Sequence, residues 1–295
     1  MIIDSHQHVF WHGRDDAGLV ADMDEQKIDF AWLLSWDVPQ DEGVKSYRHV
    51  FNPQHFANDG THPGLPFSDI LTAKHRYPDR FICGYLPDPR VHNAPAVFEN
   101  AVNMHGVKIC GEWKLQMLFD DPRCLELFRK AGDLGCPVVL HLDVPFLMDP
   151  ETHRMKYQSI WYGGTIDNLE RALIECPDTI FIGHAPGFWR EISGDADSDP
   201  TSYPRGPLVP GGKLIPLFER RPNLYADLSA GSALNNLRRN SEWSTKFLCD
   251  FSDRILFGRD YYGGDLNEFL TSLDLPQDVY DKLYFGNALR LADRP

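Results

Sequence analysis

Ile3-Asp4-Ser5-His6-Gln7-His8 is the stretch whose reading decides the fold. A short apolar run there ends on two histidines one residue apart. In an extended segment alternate side chains share a side, so His6 and His8 can aim their rings at one ion. Three further groups close later apolar runs: His141 after 137–140, His184 after 180–183, and Asp260 after 254–259.

Working outward, strand-like and helix-like segments alternate along the chain. Strands are predicted at 1–4, 30–35, 81–86, 106–110, 138–141, 179–183, 224–227 and 254–258. Helices are predicted at 22–29, 68–77, 92–104, 122–134, 165–175, 214–221 and 241–251, with Ser68 as a cap and Pro78 as a stop for the second. The cores 138–140, 180–182 and 255–257 are apolar at consecutive positions, as suits strands buried on both faces. Eight strands with intervening helices predict a (β/α)8 TIM barrel, with the metal site at the C-terminal mouth of the strands. A doubly wound open sheet would spread the candidate ligands along an edge, whereas a closed barrel brings them to one mouth. One domain over 1–295 is expected, with long mouth loops at 37–66, 143–164 and 186–212.

At 295 residues the chain can bury a large core, and 42% hydrophobic with 12% aromatic residues marks a folded protein. A formal charge of -14 argues against a nucleic-acid partner. No apolar stretch approaches the ~18 residues of a membrane helix, and no export leader precedes His6, so a cytoplasmic location is expected. The six scattered cysteines contain no Cys-x-x-Cys pair and read as reduced structural thiols. Dinucleotide, phosphate-loop and nucleophile-elbow patterns are missing.

Zinc accepts imidazole nitrogen and carboxylate oxygen, and its catalytic sites keep a position open for water. His6, His8, His141 and Asp260 are therefore the candidate ligands, with Asp260 also able to hold the ion's water. His184 is the candidate acid–base group, because imidazole titrates near neutrality; a further ligand or a strand cap are its alternatives. Lys108, placed within the fourth strand, could be carboxylated and bridge two metals, bind a substrate carboxylate, or pair with Glu112. Glu112 itself reads as a ligand, a hydrogen-bond acceptor or a plain loop carboxylate. Trp11, Trp36, Trp161 and Trp189 follow strand ends or lie in mouth loops, where they could wall a pocket. Arg14 and Arg190 are loop cations suited to an anionic substrate. Arg259, next to Asp260, should point the other way and form a structural ion pair.

The set 3–8, 106–108, 139–141, 183–187, 256–260 and the closing Asn287-Ala288-Leu289-Arg290-Leu291 resembles the amidohydrolase superfamily. Within it the likeness is to the amidohydrolase-2 branch of decarboxylases and lactonases. Arg259 and Pro186 depart from that branch, which often has a small residue and a glycine there. The resemblance implies a barrel with one divalent metal, zinc being the expected ion, held by His6, His8, His141 and Asp260, with His184 as the acid–base group. It also implies a homodimer. The activity expected is hydrolysis of a small cyclic ester, lactone or amide through metal-activated water. Non-oxidative decarboxylation of an aromatic or enoic acid is the alternative; a non-enzymatic metal-binding module is a third class.

Overall fold

The computed structural model describes residues 1–39, 47 and 49–293. Parts of the predicted 37–66 loop, residues 40–46 and 48, lie outside that description. Eight parallel strands form one sheet in sequence order: β1 (Ile3–Gln7), β2 (Phe30–Leu33), β3 (Phe81–Tyr85), β4 (Ile109–Trp113), β5 (Val138–His141), β6 (Phe181–His184), β7 (Leu224–Asp227) and β8 (Ile255–Leu256). The first and last strands meet through Ser5 N to Phe257 O at 2.9 Å and Asp260 N to His6 O at 2.8 Å, which curls the sheet into a barrel. This is the predicted (β/α)8 architecture.

The interior of the barrel is filled by alternate residues of successive strands. Ile3, Phe30, Trp32, Ile82, Ile109, Val139, Ile182 and Leu256 form one buried cluster. Ala288 and Ala292, at the end of the chain, join it. A fully buried side chain of this size contributes about 1.5–3 kcal/mol. A second, larger cluster lies between the sheet and its helices and includes Cys110, Trp113, Val138, Leu140 and Phe181. Neighbouring residues of one strand thus enter different clusters, which is why the strand cores are apolar throughout.

Two strands break this alternation, and both breaks shape the mouth. On β4, Cys110 pairs with Val138 and Trp113 with Leu140, so three steps oppose two. Ile109 faces the interior, and simple alternation would send Gly111 and Trp113 after it. Instead Trp113 and Leu115 join the outer cluster, and Glu112 and Lys114 turn inward. A Cβ on Gly111 would lie 3.0 Å from Val139 Cβ, a contact tight enough that a larger residue would press on the neighbouring strand. On β1, Asp4 pairs with Ala31 and Gln7 with Leu33, again three steps against two. That shift brings His6 and His8 to the mouth although Ile3 already faces inward.

Element limits differ from expectation in instructive places. The first helix spans Asp16–Glu25, not 22–29, because Asp15 caps it by accepting from Gly18 N at 2.8 Å. The second starts at Phe67, with Pro66 rather than Ser68 in the cap position. The fourth strand runs from Ile109 to Trp113 rather than over 106–110, which moves Lys108 off the strand and below it. The loops at 143–164 and 37–66 carry small antiparallel ribbons, Phe146–Met148 with Met155–Tyr157 and Trp36–Asp37 with Gly64–Leu65. No disulfide forms; all six cysteines are free and all but Cys249 are buried. Among the described residues no helix is long and apolar enough to cross a membrane.

Candidate metal centre at the barrel mouth

The polar side chains of the mouth come from the ends of β1, β4, β5, β6 and β7 and from Asp260 beyond β8. His6 donates from Nδ1 to Asp227 Oδ2 at 2.8 Å, and His8 donates from Nδ1 to Leu34 O at 2.7 Å. Both rings are therefore fixed, with Nε2 turned to the barrel axis. His184 is held the same way: its Nδ1 lies 3.0 Å from Asp227 Oδ1 and 2.6 Å from Ser229 Oγ. Two carboxylates meet these free nitrogens. His8 Nε2 is 3.4 Å from Glu112 Oε2 and 3.3 Å from Asp260 Oδ1. His184 Nε2 is 3.5 Å from Glu112 Oε1 and 3.9 Å from Asp260 Oδ2. His141 lies beside them, its Nδ1 2.6 Å from Glu112 Oε1 and its Nε2 3.0 Å from Asp143 Oδ2.

The donor set fits a divalent cation. Among the described residues His6 Nε2, His184 Nε2, Glu112 Oε2 and Asp260 Oδ1 are all buried without a hydrogen-bond partner, an arrangement costly unless something charged joins them. One ligand atom each from His6, His8 and Glu112 lie within 4.8 Å of one another. So do atoms of His6, His184 and Asp260, and of Glu112, His141 and His184. The electrostatics point the same way. Burial disfavours a charged His8, yet Asp260 and Glu112 outweigh it and raise its pKa to about 9. Burial likewise opposes ionisation of Asp260, but His8 and His6 draw its pKa down to about 2. Against the same burial, Lys114 and His141 hold Glu112 well below the usual carboxylate range. Ionised carboxylates beside a charged imidazole mark a site that requires positive charge.

A cavity of about 520 Å3 opens above these groups. Trp11, Lys114, His141, Asp143 and Asp260 line its inner end, and Leu147, Gln158, Ile160, Ser202 and Tyr203 come from the mouth loops. Asp260, Ala185 and Ala230 adopt positive φ at strand ends around the mouth, with values of 51°, 83° and 62°. Such backbone is uncommon outside glycine and concentrates at functional sites.

Of the residues singled out in the sequence, His6, His8, His141, His184, Asp260 and Glu112 are brought together here. Trp11 lines the cavity and donates from Nε1 to Asp260 O at 3.1 Å. Trp36 stands behind it in an aromatic cluster with Phe51 and Tyr162. Five others are corrections. Lys108 ion-pairs with Asp293 below the barrel, so it neither bridges metals nor meets a substrate at the mouth. Arg14 is spent on Asp22 at 3.0 Å and on the face of Tyr262. Arg190 is buried and donates to the carbonyls of Ala196 and Asp199. Trp189 is a core residue whose Nε1 donates to Asp227 O. Trp161 is tied to Tyr157 Oη and is not among the residues lining the cavity. Arg259 forms the expected structural pairs, to Asp4 at 2.7 Å and Asp22 at 2.8 Å.

Sequence reasoning missed Asp227, Ser229 and Lys114. Asp227 had a signal, since it ends the predicted seventh strand as the other site residues end theirs. Lys114 was hidden by the shift in β4.

A closed parallel barrel with imidazoles and carboxylates converging at its C-terminal mouth defines a class of metal-dependent enzymes. The chain belongs to the amidohydrolase family: the Amidohydro_2 family model matches residues 3–293. No curated protein matches the sequence. Among solved structures, 5-carboxyvanillate decarboxylase from Sphingomonas paucimobilis aligns with a TM-score of 0.64 at 15% identity, covering 100% of this chain and 99% of that one. A probable 2-pyrone-4,6-dicarboxylic acid hydrolase from Acinetobacter baumannii gives 0.62 at 13%, with 98% of both chains covered. Dihydroxybenzoic acid decarboxylase from Polaromonas sp. JS666, which holds manganese and 2-nitroresorcinol, gives 0.59 at 16%, covering 98% of this chain and 96% of that one. At these identities the likenesses establish the fold. The family assignment makes the protein an enzyme of the amidohydrolase-2 type.

Proposed function

We propose that the protein is a metal-dependent hydrolase of a small cyclic ester, lactone or amide. The observation that carries this reading is the meeting of two carboxylates from separate strands, Glu112 and Asp260, on either side of His8 Nε2 at 3.4 and 3.3 Å. His6, His8, Glu112 and Asp260 would hold one divalent ion, and His141 would steady Glu112 through the bond from its Nδ1 to Glu112 Oε1. When bound, such an ion lowers the pKa of water and polarises a carbonyl. Asp260, ionised and with Oδ1 making no hydrogen bond among the described residues, would accept a proton from the attacking water. His184, steadied by Asp227 and Ser229, keeps its Nε2 at the mouth to pass a proton to the leaving oxygen or nitrogen. The apolar part of the cavity wall, including Leu147 and Ile160, shelters the carbon skeleton.

Decarboxylation of an aromatic or enoic acid is the second reading, favoured by the buried cation Lys114 on the cavity wall. Captured CO2 separates the two reactions, since hydrolysis releases none. The test of the first reading is metal content together with turnover on lactone, cyclic amide and aromatic-acid panels. His184→Asn should keep the wild-type metal content and lose at least a hundredfold in kcat. Loss of the ion in that variant, or two ions per wild-type chain, would make His184 a ligand and overturn the division of roles.

A further inference from the structure

Gln7 stands between the two mouth histidines, yet its amide reaches away from both rings. It is fully buried, and its nitrogen donates both hydrogens, to Asp4 Oδ2 at 2.8 Å and to Tyr261 O at 2.7 Å. Serving two acceptors fixes the orientation of the amide. Asp4 is itself held, by Arg259 Nε at 2.7 Å and Arg259 N at 2.9 Å. Trp11, in the loop after β1, supplies a second donor to the same place. Its Nε1 reaches Asp260 O at 3.1 Å, and its own carbonyl accepts from Tyr262 Oη at 2.5 Å and from Arg14 N at 3.2 Å. Consecutive carbonyls, those of Asp260 and Tyr261, are thus held by side chains of β1 and its loop. Asp260 N adds a third bond, to His6 O at 2.8 Å. The backbone at Asp260 requires such a hold, because its φ of 51° is left-handed and a non-glycine residue keeps that conformation only where its surroundings impose it. That conformation aims the carboxylate, with Oδ1 3.3 Å from His8 Nε2 and Oδ2 3.9 Å from His184 Nε2.

We infer that Gln7 and Trp11 are positioning residues of the metal centre: together they latch the turn after β8 to β1 and hold the Asp260 carboxylate against the histidines. His6-Gln7-His8 then carries two tasks, imidazoles for the ion and, between them, the donor that fixes the ligand arriving from the other end of the chain. Trp11 joins this latch to the cavity, since the ring that lines the wall is the ring whose Nε1 holds Asp260 O. The inference rests on the reading of Asp260 as a ligand in the proposed hydrolase.

Cobalt(II) is the probe, because its visible absorption reports the ligands around it and competition with a chromophoric chelator gives its affinity. Gln7→Leu keeps the volume and removes both donors; Trp11→Phe keeps a ring on the cavity wall and removes Nε1. Each should bind cobalt about tenfold more weakly than wild type, with a shifted visible spectrum at saturation. Asp260→Asn, a residue that tolerates left-handed backbone, is the reference. In that background Gln7→Leu and Trp11→Phe should each cost less than about threefold, because the group they position no longer holds the ion. A purely structural role would instead give the same loss in both backgrounds. Urea unfolding of the metal-free proteins checks folding, and Trp11→Phe, which changes no strand residue, carries the test if Gln7→Leu does not fold. Wild-type cobalt affinity and spectrum in folded Trp11→Phe, or equal losses with and without Asp260→Asn, would overturn the latch. Wild-type affinity in Asp260→Asn itself would sink the reading of Asp260 as a ligand and the latch with it, which separates the two failures.

Discussion

Asp227, at the end of β7, accepts from Nδ1 of His6, at the end of β1, at 2.8 Å, and its other oxygen serves His184 at 3.0 Å. One carboxylate therefore orients two imidazoles from different strands. Those two rings lie 4.2 Å apart between centroids. The charge of Asp227 is secure: burial opposes it, but His184 and His6 hold its pKa well below the usual range. Asp227→Asn keeps the shape and removes one acceptor, so the ring it served is released. Metal affinity should fall about ten- to a hundredfold, with turnover falling at least as far. Competition against a chromophoric chelator reads the affinity directly; a wild-type value would show that Asp227 does not orient His6.

Gly111 sets the phase of β4. Gly111→Ala places a Cβ 3.0 Å from Val139 Cβ and 3.2 Å from Val139 O, within the neighbouring strand. Val139 must give by a few tenths of an ångström or the step must shift, and Glu112 and Lys114 with it. A stability loss of about 1–3 kcal/mol is expected, with lower metal content at equal protein concentration. Lys108→Ala is the matched control on the same stretch. Its ion pair with Asp293 is solvent-exposed, worth about 0–1 kcal/mol, and turnover should stay at the wild-type level.

Arg259 joins the two ends of the barrel. Its backbone N donates to Asp4 Oδ1 at 2.9 Å, its side chain pairs with Asp4 and Asp22, and it donates to Gly263 O at 3.0 Å. Arg259→Met leaves the buried Asp4 without its cation and Asp22 with Arg14 alone, which should cost about 3–5 kcal/mol. Adding Asp4→Asn to that variant should restore part of the loss, because the one stranded charge is removed. Urea unfolding of the three proteins measures both effects; equal stability of single variant and wild type would refute the account.

Glu191 offers a pH dependence remote from the mouth chemistry. It is 4% exposed, and Oε2 has no hydrogen-bond partner among the described residues. Burial raises its pKa to about 7, with Asp197 and Asp167 adding to the rise and Lys213 and Arg190 opposing it. In the unfolded chain the group ionises near its ordinary value of about 4.3. The folded state thus holds the proton longer. Stability from this group is complete below the unfolded value, falls across the window up to about 7, and is flat above it. Glu191→Gln removes the penalty. It should raise the melting temperature at pH 8, by an amount corresponding to about 3–4 kcal/mol, and give well under 1 kcal/mol at pH 4.5. A gain of the same size at both pH values would show that ionisation is not the cause.

The residues legible beforehand were those whose signal is local. His6 and His8 announce themselves by spacing, and His141, His184 and Asp260 by closing apolar runs. Lys108 and Lys114 show where that logic fails. They flank β4 six residues apart, so strict alternation would set both on one face. The shift between Cys110 and Trp113 separates them: Ile109 faces the interior before it, and Glu112 and Lys114 turn inward after it. Arg14, Arg190 and Trp189 failed for a related reason: each found a partner far along the chain or within a folded loop, and composition does not reveal such partners.

By itself the sequence determined the alternation of strands and helices, the barrel, and which strand ends carry imidazole or carboxylate, because hydrophobic periodicity and side-chain chemistry are properties of short segments. Only the tertiary structure decided which side chains meet. The turning inward of Glu112 and Lys114, the sharing of Asp227 by His6 and His184, and the tying of Arg259 to Asp4 and Asp22 all depend on register between neighbouring strands and on closure of the sheet. Register is a relation between segments, set when their side chains pack together, and a step of one residue exchanges the face that meets the substrate for the face that meets the core.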